Sequence, residues 1–275
     1  MKKIVQGVTA FVVIVFGSMC SAEVGQWRIS PAVGYATVDL GDLNDYAVDF
    51  AKSEAAGFVD YLDFWGSIGS AKWDVEKATS GYVGSIDLGY QIASQGGLGA
   101  RLGYLTTGDI TMKVTGSGDG GESIKETGTI EMSAISLLVG GWIEGGDKSG
   151  MNYSGYLYVG PTFATSETAM EFDFVDTGLG IEFSGDYSYE AKGSGLGAEI
   201  GGKVGYGFNE RTSVFVEGGY RMQTIEKMKA TEDVDTDDDG IDDIEEGDTS
   251  DDMDGDPVEV VLSGISLKVG VQYLF

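Results

Sequence analysis

Histidine is absent from the 275-residue chain, and its single cysteine, Cys20, falls near the N-terminus. Without an imidazole there is no side chain that ordinarily titrates near neutral pH, which removes the usual general base and the usual triad. Past Cys20 no disulfide can form. Proline occurs only 3 times, so little interrupts regular backbone pairing. Basic residues are scarce as well, 17 against 45 acids, and a formal net charge of −28 repels nucleic acid and anionic lipid headgroups unless divalent cations intervene. Finally, no apolar run reaches the ~20 residues that a membrane-spanning helix needs. Any passage through a bilayer must therefore use strands, and strands can do so only as a closed barrel.

The N-terminus reads as an export signal over residues 1–22. Lys2 and Lys3 give a positive start, Val8 to Phe16 an apolar run, and Cys20-Ser21-Ala22 a small-x-small cleavage site. A lipidated Cys20 is the other reading, disfavoured by Met19 where a small residue should stand. Losing Lys2 and Lys3 takes the net charge from −28 to −30 and leaves 23–275 as one strand-rich domain.

What the chain has is glycine, 45 of them, and alternation. From Ile265 to Phe275 every second residue is apolar or aromatic (Ile265, Leu267, Val269, Val271, Tyr273, Phe275), with Ser266, Lys268, Gly270 and Gln272 between. A period of two sends the sets to opposite faces of a strand. The same pattern starts at Trp27 to Val38, where Pro31 predicts a local irregularity. It continues at Gly81 to Ile92 and from Leu98 past Tyr104 to Val114. A fourth strand reaches Trp142 and Ile143, its parity broken near Leu137-Leu138 in a way that suggests a bulge. A fifth carries Tyr153, Leu157, Val159 and Phe163 outward, a sixth ends at Phe208, and a seventh shows Val214, Val216, Tyr220 and Met222.

These strands predict an all-β fold: an antiparallel up-and-down transmembrane barrel of eight strands, short turns at one end and long loops at the other. Tyr90, Tyr206, Phe208, Tyr273 and Phe275 would girdle the end with the short turns, and Tyr35, Tyr104, Phe163 and Tyr220 the other. The closing strand with its terminal Phe275 resembles that of bacterial outer-membrane barrels. In layout the chain is similar to the small OmpA, OmpX and OmpW class. The resemblance implies the outer membrane as location, lipid and lipopolysaccharide as neighbours, and a monomer. Outer-membrane barrel enzymes of this size rely on histidine, so the chain reads as not an enzyme.

The polar faces converge on an interior set: Arg28, Asp87, Arg101, Glu199, Lys203, Glu217, Arg221 and Lys268. Centring a hairpin on Glu210 sets Glu199 opposite Arg221 and Lys203 opposite Glu217, while Asp87 and Arg101 fall diagonally across theirs. Such a network is either a structural plug of mutually neutralised charge or a gated ion path.

Two loops remain. In residues 39–80, Leu43, Tyr46, Ala47, Phe50, Gly57, Phe58, Tyr61, Leu62 and Trp65 recur at three and four, one face of an amphipathic helix, with Asp42, Asp45, Asp49, Asp60 and Asp63 away from it. That helix either caps the barrel mouth or gates a small apolar ligand. In residues 230–257, Asp235, Asp237, Asp239, Gly240, Ile241, Asp243 and Glu246 match the twelve-residue calcium-loop template. Ile241 would lend its carbonyl. Asp248, Asp252, Asp254 and Asp256 form a weaker cluster, and a solvated acidic run is the alternative reading. The segment resembles EF-hand and thrombospondin type 3 loops, but Asp242 stands where a hydrophobic residue is usual and no helices flank it. The expected role is structural or surface-binding, with a narrow channel for ions or small hydrophobic molecules as the alternative.

Overall fold

Alternation over most of the chain gives the backbone little choice but strands, and the computed structural model, which describes residues 24–234, 244–249 and 259–275, is built from eleven of them and one helix. In order they are β1 (Trp27–Thr37), β2 (Asp39–Gly41), α1 (Asp42–Trp65), β3 (Gly69–Glu76), β4 (Ser80–Ala93), β5 (Gly96–Thr107), β6 (Ile110–Gly118), β7 (Glu122–Gly146), β8 (Met151–Asp176), β9 (Ile181–Gly207), β10 (Thr212–Ala230) and β11 (Val260–Leu274). The export-signal segment and Asp235, Asp237, Asp239, Ile241 and Asp243 lie outside the described residues.

Eight strands form a closed antiparallel ring, β1-β4-β5-β7-β8-β9-β10-β11, and β11 pairs back onto β1. The path Ala32, Ser85, Gly103, Ser136, Thr162, Gly195, Ile225 reaches β11 at Val260, whereas Ala32 itself pairs with Gly270. A stagger of ten residues around eight gaps corresponds to a strand tilt of about 40°. Outward positions Ile265 to Phe275 of β11 are all exposed. At that tilt they cover roughly 25 Å, the height of a hydrocarbon belt. Aromatic pairs rim the belt: Trp27–Tyr90, Tyr206–Phe208 and Tyr273–Phe275 at the end with the short turns, Tyr35–Tyr82 at the other. Among the described residues no helix is long and apolar enough to cross a membrane.

Several expectations need correction. The third strand does not run unbroken to Val114; it stops at Thr107, and β6 resumes the pairing with β7 after Gly108-Asp109. No bulge exists at Leu137-Leu138: the β7–β8 register is the same on either side, Leu138 is buried and Leu137 faces out. The apolar pair misled because Leu138 joins Trp142, Tyr156 and Tyr158 inside the barrel. Asp87 and Arg101 are not diagonal but directly opposite, since Gly96 and Gly97 belong to β5 and a shift at Gln91/Ala93 resets the register. The Pro31 irregularity is a gap in the β1–β11 ladder between Ile29 and Ala32, without loss of register.

Beyond the belt the strands keep going. β7, β8 and β9 are 25, 26 and 27 residues long, and with β6 and β3 they form a tall sheet curving over α1. The helix buries Leu43, Ala47, Ala51, Ala55, Phe58 and Leu62, so its alanines permit close approach to the wall. Gly116 makes room for Phe58, as a Cβ there would sit 2.5 Å from the ring. Gly66 ends the helix in the left-handed region at φ 75°, its N–H on the Asp63 carbonyl. At the other end β2 pins the helix entry to the closing strand, Gly41 against Val260 and Asp39 against Ser263.

Candidate functional site

Reading inward positions along each ring strand from the short-turn end gives one sequence of chemistries. On β10 it runs Glu217, Gly219, Arg221, Gln223, Ile225, and on β11 Lys268, Ser266, Gly264, Leu262, Val260. On β8 it runs Tyr156, Tyr158, Gly160, Thr162, Ala164. Charge, or tyrosine on β8, comes first, then a polar layer of small residues with Arg221 and Gln223, then hydrocarbon.

The charged layer is centred on Arg101. Its Nε and Nη2 donate to Asp87 at 2.6 and 2.8 Å, its Nη1 and Nη2 reach Glu217 at 3.0 and 3.1 Å, and Nη1 lies 2.8 Å from Glu199. Lys203 Nζ donates to Asp87 at 2.6 Å and lies 3.3 Å from Glu217. Lys268 Nζ bridges Glu199 at 2.8 Å and Glu217 at 2.6 Å. The Tyr156 hydroxyl donates to Glu217 at 2.9 Å, and the Arg101 guanidinium lies over the Tyr156 and Tyr158 rings. Three cations thus interlock with three carboxylates, every one buried. Nearer the short turns, Arg28 pairs with Glu144 at 3.3 Å and stacks on Trp142.

Seven of the eight expected interior residues therefore make ion pairs. The Glu210-centred register is observed for both cross-strand pairs. Only Lys203–Glu217 becomes an ion pair; Arg221, opposite Glu199, donates from Nε to the Leu262 carbonyl at 3.4 Å. Glu144, Trp142, Tyr156 and Tyr158 were missed. Parity along β8 already turns Tyr156 and Tyr158 inward, opposite Leu157 and Val159, while on β7 the Leu137-Leu138 pair obscured the parity that places Trp142 and Glu144.

Above lies the apolar layer: Leu105, Ile110, Met112, Ile130, Met132, Met170, Ile225, Met228 and Leu262 packed against Leu43, Ala47 and Ala51 of α1. Tyr61 and Phe58 meet Phe174 edge-on, and the Tyr61 hydroxyl donates to Asp176, holding that carboxyl below its usual range. Glu54 of α1 and Glu126 of β7 share this sheet–helix interface with Tyr46, Tyr187 and Tyr189. Burial, reinforced by Glu54, pushes Glu126 up to about 7, and burial also raises Glu54. Burial with Tyr189 nearby pushes Tyr46 up to about 12. A cavity of about 250 Å³ remains between helix and wall, lined in part by Leu43, Tyr46, Met132, Met228 and Val260.

Of the calcium-loop set only Glu246 lies among the described residues. Its N–H donates to Asp233 at 2.6 Å, and Val234 and Ile244 form an antiparallel bridge.

The geometry defines an eight-stranded antiparallel barrel with a lipid-facing belt, a charged lumen and a helix seated in its mouth. No family model and no curated protein matches the chain. Among solved structures it is similar to the outer membrane protein OprG from Pseudomonas aeruginosa, at 17% identity over 93% of this chain and 98% of that one, TM-score 0.40. It is also similar to Ail, the attachment invasion locus protein of Yersinia pestis, at 12% identity over 92% and 100%, TM-score 0.36. The outer membrane protease OmpT from Escherichia coli matches at 10% identity over 94% and 99%, TM-score 0.30. At such scores the fold rests on the chain's own strand register.

Proposed function

We propose that the chain is a closed outer-membrane barrel, not an enzyme, whose work is structural or surface-binding and is done by the tall sheet beyond the belt. One observation carries this: the lumen is filled twice, by the Arg101-centred ion cluster and by α1 with its apolar wall. Lumens of eight strands are only wide enough for side chains to fill, and paired charge of this density leaves no row of free ligands for an ion to hop along. Planar-bilayer recording tests it. The expected result is no sustained conductance; steady wild-type conductance altered by Glu217→Ala would overturn the reading.

The second reading, a path for small hydrophobic molecules, is favoured by the cavity beside α1. Uptake of apolar solutes by liposomes carrying the barrel, lost on filling the cavity with Ala191→Phe, would establish it.

We further propose that Asp235, Asp237, Asp239, Ile241, Asp243 and Glu246 bind calcium. The donor set is carboxylate and carbonyl oxygen, which suits a hard cation. Bound cations would let so acidic a surface sit beside lipopolysaccharide phosphates. Calorimetry on the folded barrel should show binding that the combined Asp235→Ala, Asp239→Ala and Glu246→Ala variant lacks. Equal binding by both would reduce the loop to a counterion-attracting run.

A further inference from the structure

The buried charges of the belt do not balance. Arg101, Lys203 and Lys268 are matched by Asp87, Glu199 and Glu217, and Arg28 by Glu144. Arg221 is left over. Its register partner Glu199 is already held by Arg101 and Lys268. Arg221 is 4% exposed, and its Nη2 has no hydrogen-bond partner among the described residues. Its Nε donates to the Leu262 carbonyl, yet a buried guanidinium with no carboxylate in ion-pair contact is unfavourable.

Its neighbours share the condition. In the layer between the ion cluster and the hydrocarbon, Thr162 Oγ1, Gln223 Oε1 and Ser266 Oγ also have no partner among the described residues, at 0%, 2% and 2% exposure. Two of them neighbour Arg221 along the ladder, and the third lies beside Gln223. Gln223 is the next inward residue on β10, and Ser266 pairs with Gly219, the inward residue before Arg221. Thr162 and Gln223 converge on Gly197, where an added Cβ would lie 2.6 Å from Thr162 Oγ1 and 3.1 Å from Gln223 Cγ. Two hydroxyls and a guanidinium N–H supply donors and one positive charge, and Gln223 joins them when its amide turns its Nε2 inward in place of the unpartnered Oε1.

We propose that this shell binds a small monovalent anion, chloride being the one most available, held by Arg221 with Thr162, Gln223 and Ser266. The anion neutralises the leftover cation and supplies an acceptor to donors that have none. Divalent oxyanions are excluded by charge, since a second negative charge would restore the imbalance. Water could satisfy the hydrogen bonds but not the charge.

Crystals of the wild-type barrel grown with bromide in place of chloride provide the direct test. A bromide anomalous peak within hydrogen-bonding reach of Arg221 Nη2 is expected. Density there without anomalous signal would mean water and would overturn the proposal, as would bromide found only at the surface. In solution, the urea midpoint in detergent should rise and saturate with chloride or bromide, relative to gluconate at equal ionic strength. Arg221→Met, which keeps the stem and removes the charge, should lose the halide-dependent shift. If that variant does not fold, Thr162→Val, which removes one donor, should weaken the halide dependence several-fold. An unchanged halide response in the variant that folds argues against the site as strongly as a missing anomalous peak.

Discussion

Below the rim of the belt the barrel has charge inside and hydrocarbon outside; above it, the same strands carry hydrocarbon inside and charge outside. On β7 and β8 the exchange happens without a change of period or register, whereas β10 shifts register against β9 between Ile225 and Met228. On β8 the outward residues pass from Leu157, Val159 and Phe163 to Glu167, Glu171 and Asp173, while the inward ones pass from Tyr158 and Thr162 to Met170, Phe172 and Phe174. β7 makes the same switch between Ile135 and Glu131. Strand geometry only assigns residues to two faces. The solvent decides which face must be apolar, so the crossover marks where lipid gives way to water.

The comparison breaks most severely at its charged half. Arg101→Ala leaves three buried carboxylates facing two lysines and should cost about 3–5 kcal/mol, read as a fall in the urea midpoint or as loss of the folded, fast-migrating form in unheated gels. A smaller loss would mean that water enters the lower lumen. The boundary itself can be sharpened by moving one charge across it. Val139→Arg, near the middle of the belt, should cost about 2–4 kcal/mol. Thr129→Arg, on the same face of the same strand but above the crossover, should fall within about 0.5 kcal/mol. Equal costs would place the boundary elsewhere.

The apolar half answers to packing. Gly116→Val drives a side chain into Phe58 and should cost about 1–3 kcal/mol. That loss should be confined to α1, with faster amide exchange in the helix and unchanged barrel mobility on gels. The mildest perturbation is pH. Glu126 has a folded pKa near 7, above its unfolded value, so the folded state holds the proton more tightly. Stability from this group is therefore fully present below about pH 4.5 and declines as pH rises to about 7. It amounts to about 1 kcal/mol once screening of a half-exposed group is allowed for. Exchange from α1 should quicken over that window in the wild type and lose the dependence in Glu126→Gln.

The ring and its register were readable in the residues because a period of two and one short turn fix neighbours on adjacent strands. The Glu210-centred pairing placed Lys203 against Glu217 for that reason. Partner choice was not readable, because the guanidinium of Arg101 on β5 reaches across the lumen to β9 and β10, which no adjacent-strand register describes. Arg221 loses Glu199 to that reach. The strand β3 escaped notice for a different reason: none of its residues is fully buried, so no burial pattern shaped its sequence.

The β2–β11 pairing also sets an order of events in time. The helix is made near the beginning of the chain, yet its entry is held by Val260 and Ser263 of the last strand, and Phe58 and Tyr61 rest on Phe174. Contacts so distant in sequence form late. The body of the helix rests on β3 and β6, its nearer neighbours in sequence, so ring closure by β11 is left to fix its entry alone.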